Sequence, residues 1–292
     1  GVATPMVAYV VVDGKTVMSG SRMTIIAGVF SICAILCYIV CFKLTRERVE
    51  VPASSQKVSA SAIFKSIFTN RALLGIIVGA IFVLLSQLTV MSLAGYVYPN
   101  VYGSAAAQST ASLLGTVIML IVCAPFASKL AAKFGKKELA VASSICSALV
   151  WLVCLIWRPA SVWGFVACYI LANIGMGFFN TIIWAMITDV IDDAEVRSGI
   201  REDGTIYSVY SFARKLGQAF SSGLVGALLG IIGYTEATAF DPAVTRGIFN
   251  MACIAPIIGF VCIVLALVFL YPLNKKKVEE NVAALAARRN NK

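Results

Sequence analysis

A stripe of polar side chains follows one face of a long apolar segment in the second half of the chain. Asn173, Gly177, Asn180, Trp184 and Thr188 lie at i, i+4, i+7, i+11 and i+15, the spacing of a single helix face. Side-chain amides bind pairs of hydroxyl groups and an indole packs against C–H surfaces, so the stripe suits a sugar. It suits equally a buried face that is hydrogen-bonded to neighbouring helices, and the residues alone do not decide between the two.

The next apolar segment carries a similar stripe that includes a lysine. Its members are Tyr207, Ser211, Lys215, Gln218 and Ser222. A lysine within the membrane indicates a functional site. However, the 19 uncharged residues 216–234 can span a bilayer alone. On physical grounds the sequence slightly favours Lys215 and its neighbour Arg214 as markers of the cytoplasmic boundary.

Charges of both signs crowd the connection between these two segments, in the run DVIDDAEVRSGIREDG. We predict that this run forms a cytoplasmic gate of ion pairs, made by Asp189, Asp192, Glu195 and Arg201. A solvated turn is the alternative for such a run of charges.

The residue types that are missing exclude most enzyme chemistry. The chain has no histidine, the commonest general base and metal ligand. Its nine cysteines lie in apolar stretches without a CxxC pair, which indicates packing rather than a disulfide or metal site. Gly199 and Gly204 have the spacing of a phosphate loop, but Thr205 stands where the Walker lysine must be. We therefore expect no enzyme, no bound cofactor or metal, and no ATP-driven step.

The elements that must position these residues are membrane-spanning helices. Of the 292 residues 60% are hydrophobic and 13% charged, which is about half the charged share of a soluble domain. A run of about 20 apolar residues crosses the roughly 30 Å hydrocarbon core as a helix. Seven such runs are present: Met23–Lys43, Leu73–Tyr96, Ala105–Ser128, Leu139–Trp157, Val162–Val190, Ile206–Tyr234 and Ile248–Tyr271. The sequence predicts an all-α, polytopic membrane protein.

The basic residues orient these spans. Four segments carry 20 of the 24 Lys and Arg residues: Lys43–Arg71, Lys129–Lys137, Arg197–Lys215 and Lys275–Lys292. Cytoplasmic loops are enriched in basic residues, so these segments and the C-terminus are predicted to be cytoplasmic. The net charge of +10 is thereby explained as a topology signal, and no nucleic-acid partner is expected.

The spans divide the chain into the end of an N-terminal bundle, a cytoplasmic linker, a six-helix bundle and a cytoplasmic tail, at residues 1–43, 44–70, 71–273 and 274–292. Gly1–Val12 is too short to cross a membrane and reads as the severed end of a helix. The linker ends in an amphipathic run, Ala62–Leu73, which suits a helix on the membrane surface. The tail is expected to be a solvated helix or disordered. The chain reads as the C-terminal part of a longer protein.

The segment Asp189–Gly230 resembles the loop and eleventh helix of the glycoside–pentoside–hexuronide:cation symporters, the melibiose-carrier relatives within the major facilitator superfamily. The family pattern D-x-x-D-Y-G-E, R-x-E-G, Y-S and K-L/A-G is matched at Asp189, Asp192, Glu195, Arg201, Glu202–Gly204, Tyr207–Ser208 and Lys215–Gly217. The chain departs from the pattern at Asp193-Ala194, which replace Tyr-Gly. The resemblance extends more weakly over the whole chain.

This resemblance implies a bacterial sugar symporter of the cytoplasmic membrane, with twelve helices enclosing a midplane site that opens by alternating access. Lys215 matches the family's helix-eleven lysine near the substrate and cation sites, and Tyr210 and Ser211 match sugar-proximal positions. Asn180 falls where the melibiose carrier has a tryptophan, and Trp184 is a candidate replacement one turn further on. The expected substrate-binding residues are Lys215, Ser211, Tyr210, Asn180, Trp184 and Asn173.

The resemblance also indicates what this chain lacks. Family members bind the coupling cation largely through carboxylates of the first six helices, so the Na⁺ or H⁺ site is expected outside this chain, and the fragment as given should not transport. The expected partners are a small sugar or glycoside, the cation and the lipid bilayer, with a monomeric protein. A seven-helix receptor is the alternative, because it shares the topology. Against it, Ile248–Tyr271 has no lysine for a retinal Schiff base, and Gly1–Val12 stays unexplained.

Overall fold

The computed structural model describes residues 9–12, 15–18, 20–45, 70–201 and 203–290. The chain divides into two compact units, Gly1–Lys57 and Val58–Lys292. Most of the predicted linker 44–70, with most of its amphipathic run, lies outside the described residues, and that prediction stays untested.

The first unit contains a β-hairpin and one long helix. Strands β1 (Tyr9–Val12) and β2 (Lys15–Met18) pair antiparallel, with Tyr9 opposite Met18. The prediction of a helix end over Gly1–Val12 is therefore wrong at Tyr9–Val12, the part of it that the structure describes. Both strands are rich in β-branched residues, and the sequence between them is Asp-Gly, the pair that most favours a two-residue hairpin. Helix α1 (Gly20–Leu44) contains the predicted span Met23–Lys43.

The described residues of the second unit form helices joined by short connections, without a strand. Its helices are α2 (Arg71–Tyr96), α3 (Ala105–Ile118), α4 (Ala124–Phe134), α5 (Lys136–Trp157), α6 (Val162–Ser198), α7 (Asp203–Ile231), α8 (Pro242–Leu265) and α9 (Lys275–Asn290). Single π-helical turns extend α2, join α3 to α4 and extend α8, at Val97–Val101, Met119–Cys123 and Ala266–Leu270.

Six helices of the described chain are long and apolar enough to cross a membrane. They correspond to six of the seven predicted spans, and the protein is a multi-pass membrane protein. The exception is the predicted span Ile206–Tyr234, which corresponds to α7 and is not among the six. The reason lies in its composition, because α7 begins at Asp203 and carries Arg214 and Lys215 near its middle.

Helix α2 packs between α7 and α8. Helix α5 packs between α8 and α6, and α3 packs against α6. Glycines allow the closest of these crossings: a Cβ on Gly217 of α7 would lie 2.9 Å from the carbonyl oxygen of Ile81, and one on Gly259 of α8 would clash with Ser86. Small residues at crossings are typical of membrane helix bundles, because they let backbones approach closely.

The tail helix α9 is exposed along most of its length and docks on the end of α6 through a few side chains. Asn281 is 3% exposed, and its amide donates to a carboxylate oxygen of Asp193 at 3.0 Å. Arg288 donates to the carbonyl oxygens of Glu195 and Val196, at 3.3 and 2.9 Å. These carbonyls belong to the last turn of α6, where backbone acceptors run short of helical partners. The Glu195 carbonyl also accepts from the N–H of Gly199. Arg288 therefore caps the helix that carries the predicted gate.

Candidate functional site

A polar cavity of about 250 Å³ opens between α2, α3 and α6. Its polar lining consists of side chains from three helices: Gln87, Ser112, Thr116, Tyr169, Asn173 and Asn180. Valine, methionine and glycine complete the wall, at Val90, Met91, Gly115, Met119, Met176 and Gly177. Apart from the phenol of Tyr169, none of these lining side chains is ionisable. The cavity thus presents amides, hydroxyls and one aromatic ring to a neutral polar ligand.

The amides of the cavity hold one another in place. Asn180 on α6 donates from Nδ2 to Oε1 of Gln87 on α2, at 3.4 Å. Asn173 donates from Nδ2 to the carbonyl oxygen of Tyr169, one turn earlier, at 2.8 Å. Within the described chain, the Gln87 Nε2 donors and the Asn180 Oδ1 acceptor make no hydrogen bond. A donor and an acceptor from two helices are therefore available to a ligand hydroxyl.

The stripe of α6 does not act as one surface. Asn173 and Asn180 line the cavity, and Gly177 between them lies against Cys123, whose Sγ would be 2.7 Å from a Cβ at that position. Trp184 is 48% exposed and lies elsewhere. Thr188 is exposed and donates to the carbonyl oxygen of Ala185. The first half of the stripe lines a cavity, and the second half does not.

Trp184 and Tyr210 belong to a second cluster, between α6 and α7. Their rings meet edge to face at a centroid distance of 5.4 Å. The guanidinium of Arg214 lies 5.5 Å from the Trp184 ring and 5.7 Å from the Tyr210 ring, and donates to the Tyr210 hydroxyl at 3.2 Å. Arg214, which the sequence indicated only as a boundary marker, thus orders two of the predicted substrate residues through cation–π contacts.

Ser211 and Lys215 lie on an exposed face of α7, and neither lines the cavity. The Lys215 ammonium donates to Oε1 of Gln218 at 3.3 Å. Lys215 follows the first residue of α7 by 12 positions, so it lies about 18 Å along a helix of about 43 Å. Lys215 therefore lies within α7 and not in its first turn, with the uncharged residues 216–234 following it.

The predicted gate is a cluster of ion pairs centred on Arg201. Its guanidinium lies 3.0 Å from Asp192 and 2.9 Å from Glu195, both on α6, and 2.8 Å from Asp203 at the start of α7. Burial lowers the pKa of Arg201, but hydrogen bonds to the three carboxylates outweigh this and raise its pKa above the ordinary value. The cluster joins α6 to α7 across their short connection.

Asp189 does not belong to the Arg201 cluster. It is 5% exposed and pairs with Lys136 of α5 at 2.6 Å. The Lys136 ammonium also donates to the carbonyl oxygen of Ala185 at 3.3 Å. The four residues predicted as one gate therefore form two separate contacts, one between α6 and α7 and one between α6 and α5. Helix α6 extends to Ser198, so all three acids lie on a helix and not in a loop.

The sequence did not indicate Gln87, Thr116 or Tyr169 as binding residues. Gln87 and Thr116 are each one of several polar residues in an otherwise apolar span, and nothing in either span shows that the residue meets Asn173 and Asn180. Tyr169 lies one turn before Asn173, and extending the α6 stripe by one turn would have found it. In the described part of the chain, no group of three Cys, Asp or Glu side chains could hold a metal ion.

The sequence pattern of a family described as "MFS/sugar transport protein" matches residues 1–275. The chain is 28% identical over 264 residues to the glucuronide carrier protein homolog of Escherichia coli (strain K12), covering 89% of this chain and 56% of the relative. It is 29% identical to the uncharacterised symporter YjmB of Bacillus subtilis (strain 168), over 87% of this chain and 55% of the relative. Against the isoprimeverose transporter of Lactiplantibacillus pentosus the identity is 23%, over 97% and 60%. The chain spans about half the length of the curated relatives it matches.

Proposed function

Because this chain belongs to the family of MFS/sugar transport proteins, we propose that the protein carrying it is a secondary active symporter that couples uptake of a sugar or glycoside to a cation gradient. Membership places the chain among transporters and not among enzymes, and does not favour the seven-helix receptor. The proposal concerns a carrier of its relatives' length, of which this chain supplies one six-helix bundle.

The observation that carries the proposal is the cavity between α2, α3 and α6. Gln87, Asn173 and Asn180 supply amides, and Thr116 a hydroxyl, within helices that lie largely in hydrocarbon. Polar groups at this depth are costly unless they serve a ligand or each other. Amide pairs with one free donor and one free acceptor match the paired hydroxyls of a sugar ring.

The coupling cation is proposed to bind outside this chain. The cavity lining contains no carboxylate, and hard cations bind oxygen ligands, carboxylates above all. We propose that acids of the remaining helices hold Na⁺ or H⁺. If the sugar binds the cation-loaded carrier more tightly than the cation-free carrier, sugar binding and cation binding are coupled.

Alternating access would use the ion-pair contacts at one end of the bundle. The Arg201 cluster fixes the junction of α6 and α7, the two helices that carry Asn180, Trp184, Tyr210 and Lys215. We propose that this end faces the cytoplasm of a bacterial cell, with α9 and the C-terminus on the same side, because the basic residues are concentrated there.

Uptake into membrane vesicles tests the transport proposal. Radiolabelled glucuronide, isoprimeverose and an unmodified hexose would be offered to vesicles with an imposed Na⁺ or H⁺ gradient and membrane potential. One charge moving through 100 mV supplies about 2.3 kcal/mol, enough for more than about tenfold accumulation. We expect accumulation of at least one sugar, and its loss when gradients and potential are collapsed. Accumulation that persists after the collapse would contradict coupling to an ion gradient.

A further inference from the structure

A second pocket lies at the other end of the second unit, away from the basic segments. It has a volume of about 350 Å³ and is formed by the turn after α2, the α5–α6 connection and the start of α8. Its lining residues are Val101, Tyr102, Arg158, Pro159, Ala160, Pro242, Thr245, Arg246 and Phe249. The Tyr102 hydroxyl donates to the carbonyl oxygen of Pro159 at 3.0 Å, which ties the connection to α2. The pocket is thus built by three separate parts of the chain.

This pocket is positively charged. Arg158 and Arg246 are the two basic residues that the topology places at this end of the second unit, and both line it. None of the lining residues is acidic, and within the described chain neither guanidinium forms an ion pair. The Arg158 guanidinium donates a long hydrogen bond, 3.4 Å, to Oδ1 of Asn250. The first turns of α8 also border the pocket, and the N-terminus of a helix carries partial positive charge.

The backbone of one of the two arginines, Arg158, is conformationally strained. Arg158 has a φ of 47°, the left-handed conformation, and among the described non-glycine residues it alone has a positive φ. Non-glycine residues in this region are strained, and such strain concentrates at functional positions. A glycine or asparagine would end α5 with less strain, yet here an arginine occupies the position.

Two tryptophans indicate where the pocket lies along the membrane normal. Trp157 precedes Arg158 and is 60% exposed, and Trp163 in the first turn of α6 is 58% exposed. Exposed tryptophans at the ends of spanning helices lie at the level of the lipid headgroups. Phosphate groups of the bilayer lie at the same level, and planar guanidinium groups bind phosphate oxygens bidentately.

We propose that Arg158 and Arg246 form a binding site for the phosphate group of an anionic phospholipid in the leaflet opposite the basic segments. The two guanidiniums hold the phosphodiester, and Phe249 and Val101 border the first carbons of the lipid. The site lies outside the cavity of α2, α3 and α6, and the proposal does not depend on which sugar is carried.

Lipid retention in the full-length carrier tests the site. The protein would be purified from mixed bilayers of phosphatidylglycerol and phosphatidylcholine, and its bound lipids counted by native mass spectrometry. Arg158→Gln, Arg246→Gln and the double variant would be compared with Lys129→Gln, which removes one positive charge from the opposite end. Inorganic phosphate and glucuronate would be added as soluble competitors.

We expect wild type and Lys129→Gln to retain phosphatidylglycerol over phosphatidylcholine. The double variant should lose this preference by about tenfold or more, because two charge-assisted hydrogen-bonding groups are removed. Equal retention in all five proteins would overturn the proposal. Displacement of phosphatidylglycerol by millimolar phosphate or glucuronate would also overturn it, since the pocket would then bind soluble anions. Size-exclusion profiles that match wild type would show that the variants fold.

Discussion

Each amide in the cavity has part of its hydrogen-bonding capacity committed to the protein and part left over. Asn180 uses Nδ2 to reach Gln87, and this contact fixes which way both side chains point. A ligand hydroxyl would meet groups that are already oriented, so little side-chain entropy is lost on binding. Binding should therefore depend on the contact between Asn180 and Gln87 as well as on either side chain alone.

Replacing Asn180 with Ala should weaken sugar binding by the full-length carrier. The substitution removes one acceptor and frees Gln87, which corresponds to about 1–3 kcal/mol, or about 5- to 150-fold in Kd. Thr181→Ala is the matched control, because Thr181 is exposed and its hydroxyl donates to the backbone of Gly177. Calorimetry on purified carriers would measure both. Equal affinity in the two variants would exclude Asn180 from the binding site.

Replacing Lys215 with Val addresses a different question, namely whether this lysine is functional or only marks the cytoplasmic boundary. If it faces the substrate path, its ammonium needs an acid from the remaining helices. The substitution would then leave that acid unpaired in a low dielectric, raise its pKa, and weaken both cation and sugar binding. The match of Lys215 to the family's helix-eleven lysine leads us to expect this outcome. Unchanged affinities for both ligands, with normal expression, would assign Lys215 to membrane topology.

Sequence periodicity predicted which residues share a face, and it could not predict what that face meets. The spacing of Asn173 and Asn180 on one side of α6 follows from 3.6 residues per turn. Their partner Gln87 lies 93 positions away from Asn180, and its position depends on how α2 crosses α6. Tertiary crossings of this kind carry no local signal, which explains why the sequence alone did not indicate Gln87.

At the level of whole helices, two glycines of α7 have opposite surroundings. A Cβ at Gly217 would lie 2.9 Å from the Ile81 carbonyl oxygen and 3.2 Å from the Leu84 Cβ, whereas at Gly226 no described atom lies within 4 Å. Gly217→Ala should therefore force α7 away from α2 and lower the melting temperature. Gly226→Ala should be neutral or raise it, because Ala is about 1 kcal/mol better than Gly within a helix. Thermal unfolding in detergent would measure both, and a similar effect in the two variants would contradict the close crossing.

The helices themselves were largely predictable, and their ends were not. Hydropathy placed the apolar part of α6, but the helix continues to Ser198 through charged residues, because Arg288 and Asn281 of α9 support that end. The hairpin at Tyr9–Met18 was missed because a short apolar run was interpreted by length alone, although Asp-Gly between valine-rich runs favours a turn. Hydropathy measures how apolar a segment is, and it contains little information about which other helix packs against its end.

For the whole molecule, the two sides of the membrane can be tested with the arginines of the second pocket. Arg158→Cys and Arg246→Cys should react with a membrane-impermeant thiol reagent added outside intact cells, and Lys129→Cys should not. The native cysteines would first be replaced, and among the described residues five of the nine are not exposed. Labelling of Arg158→Cys only from the cytoplasm would reverse the proposed topology.

The three π-helical turns have a consequence for how related sequences should be aligned. A π turn closes its hydrogen bond over one more residue than an α turn, so Met119–Cys123 accommodates one additional residue between α3 and α4. Each residue of an α-helix turns the chain by about 100°. In a relative that lacks this residue, the segment would stay apolar. However, Gly115 and Thr116, which line the cavity, would be rotated about the helix axis relative to Ala127, which lies beyond the π turn. A one-residue gap at Met119–Cys123 would therefore be a sign of a differently shaped cavity, even where every polar residue is retained.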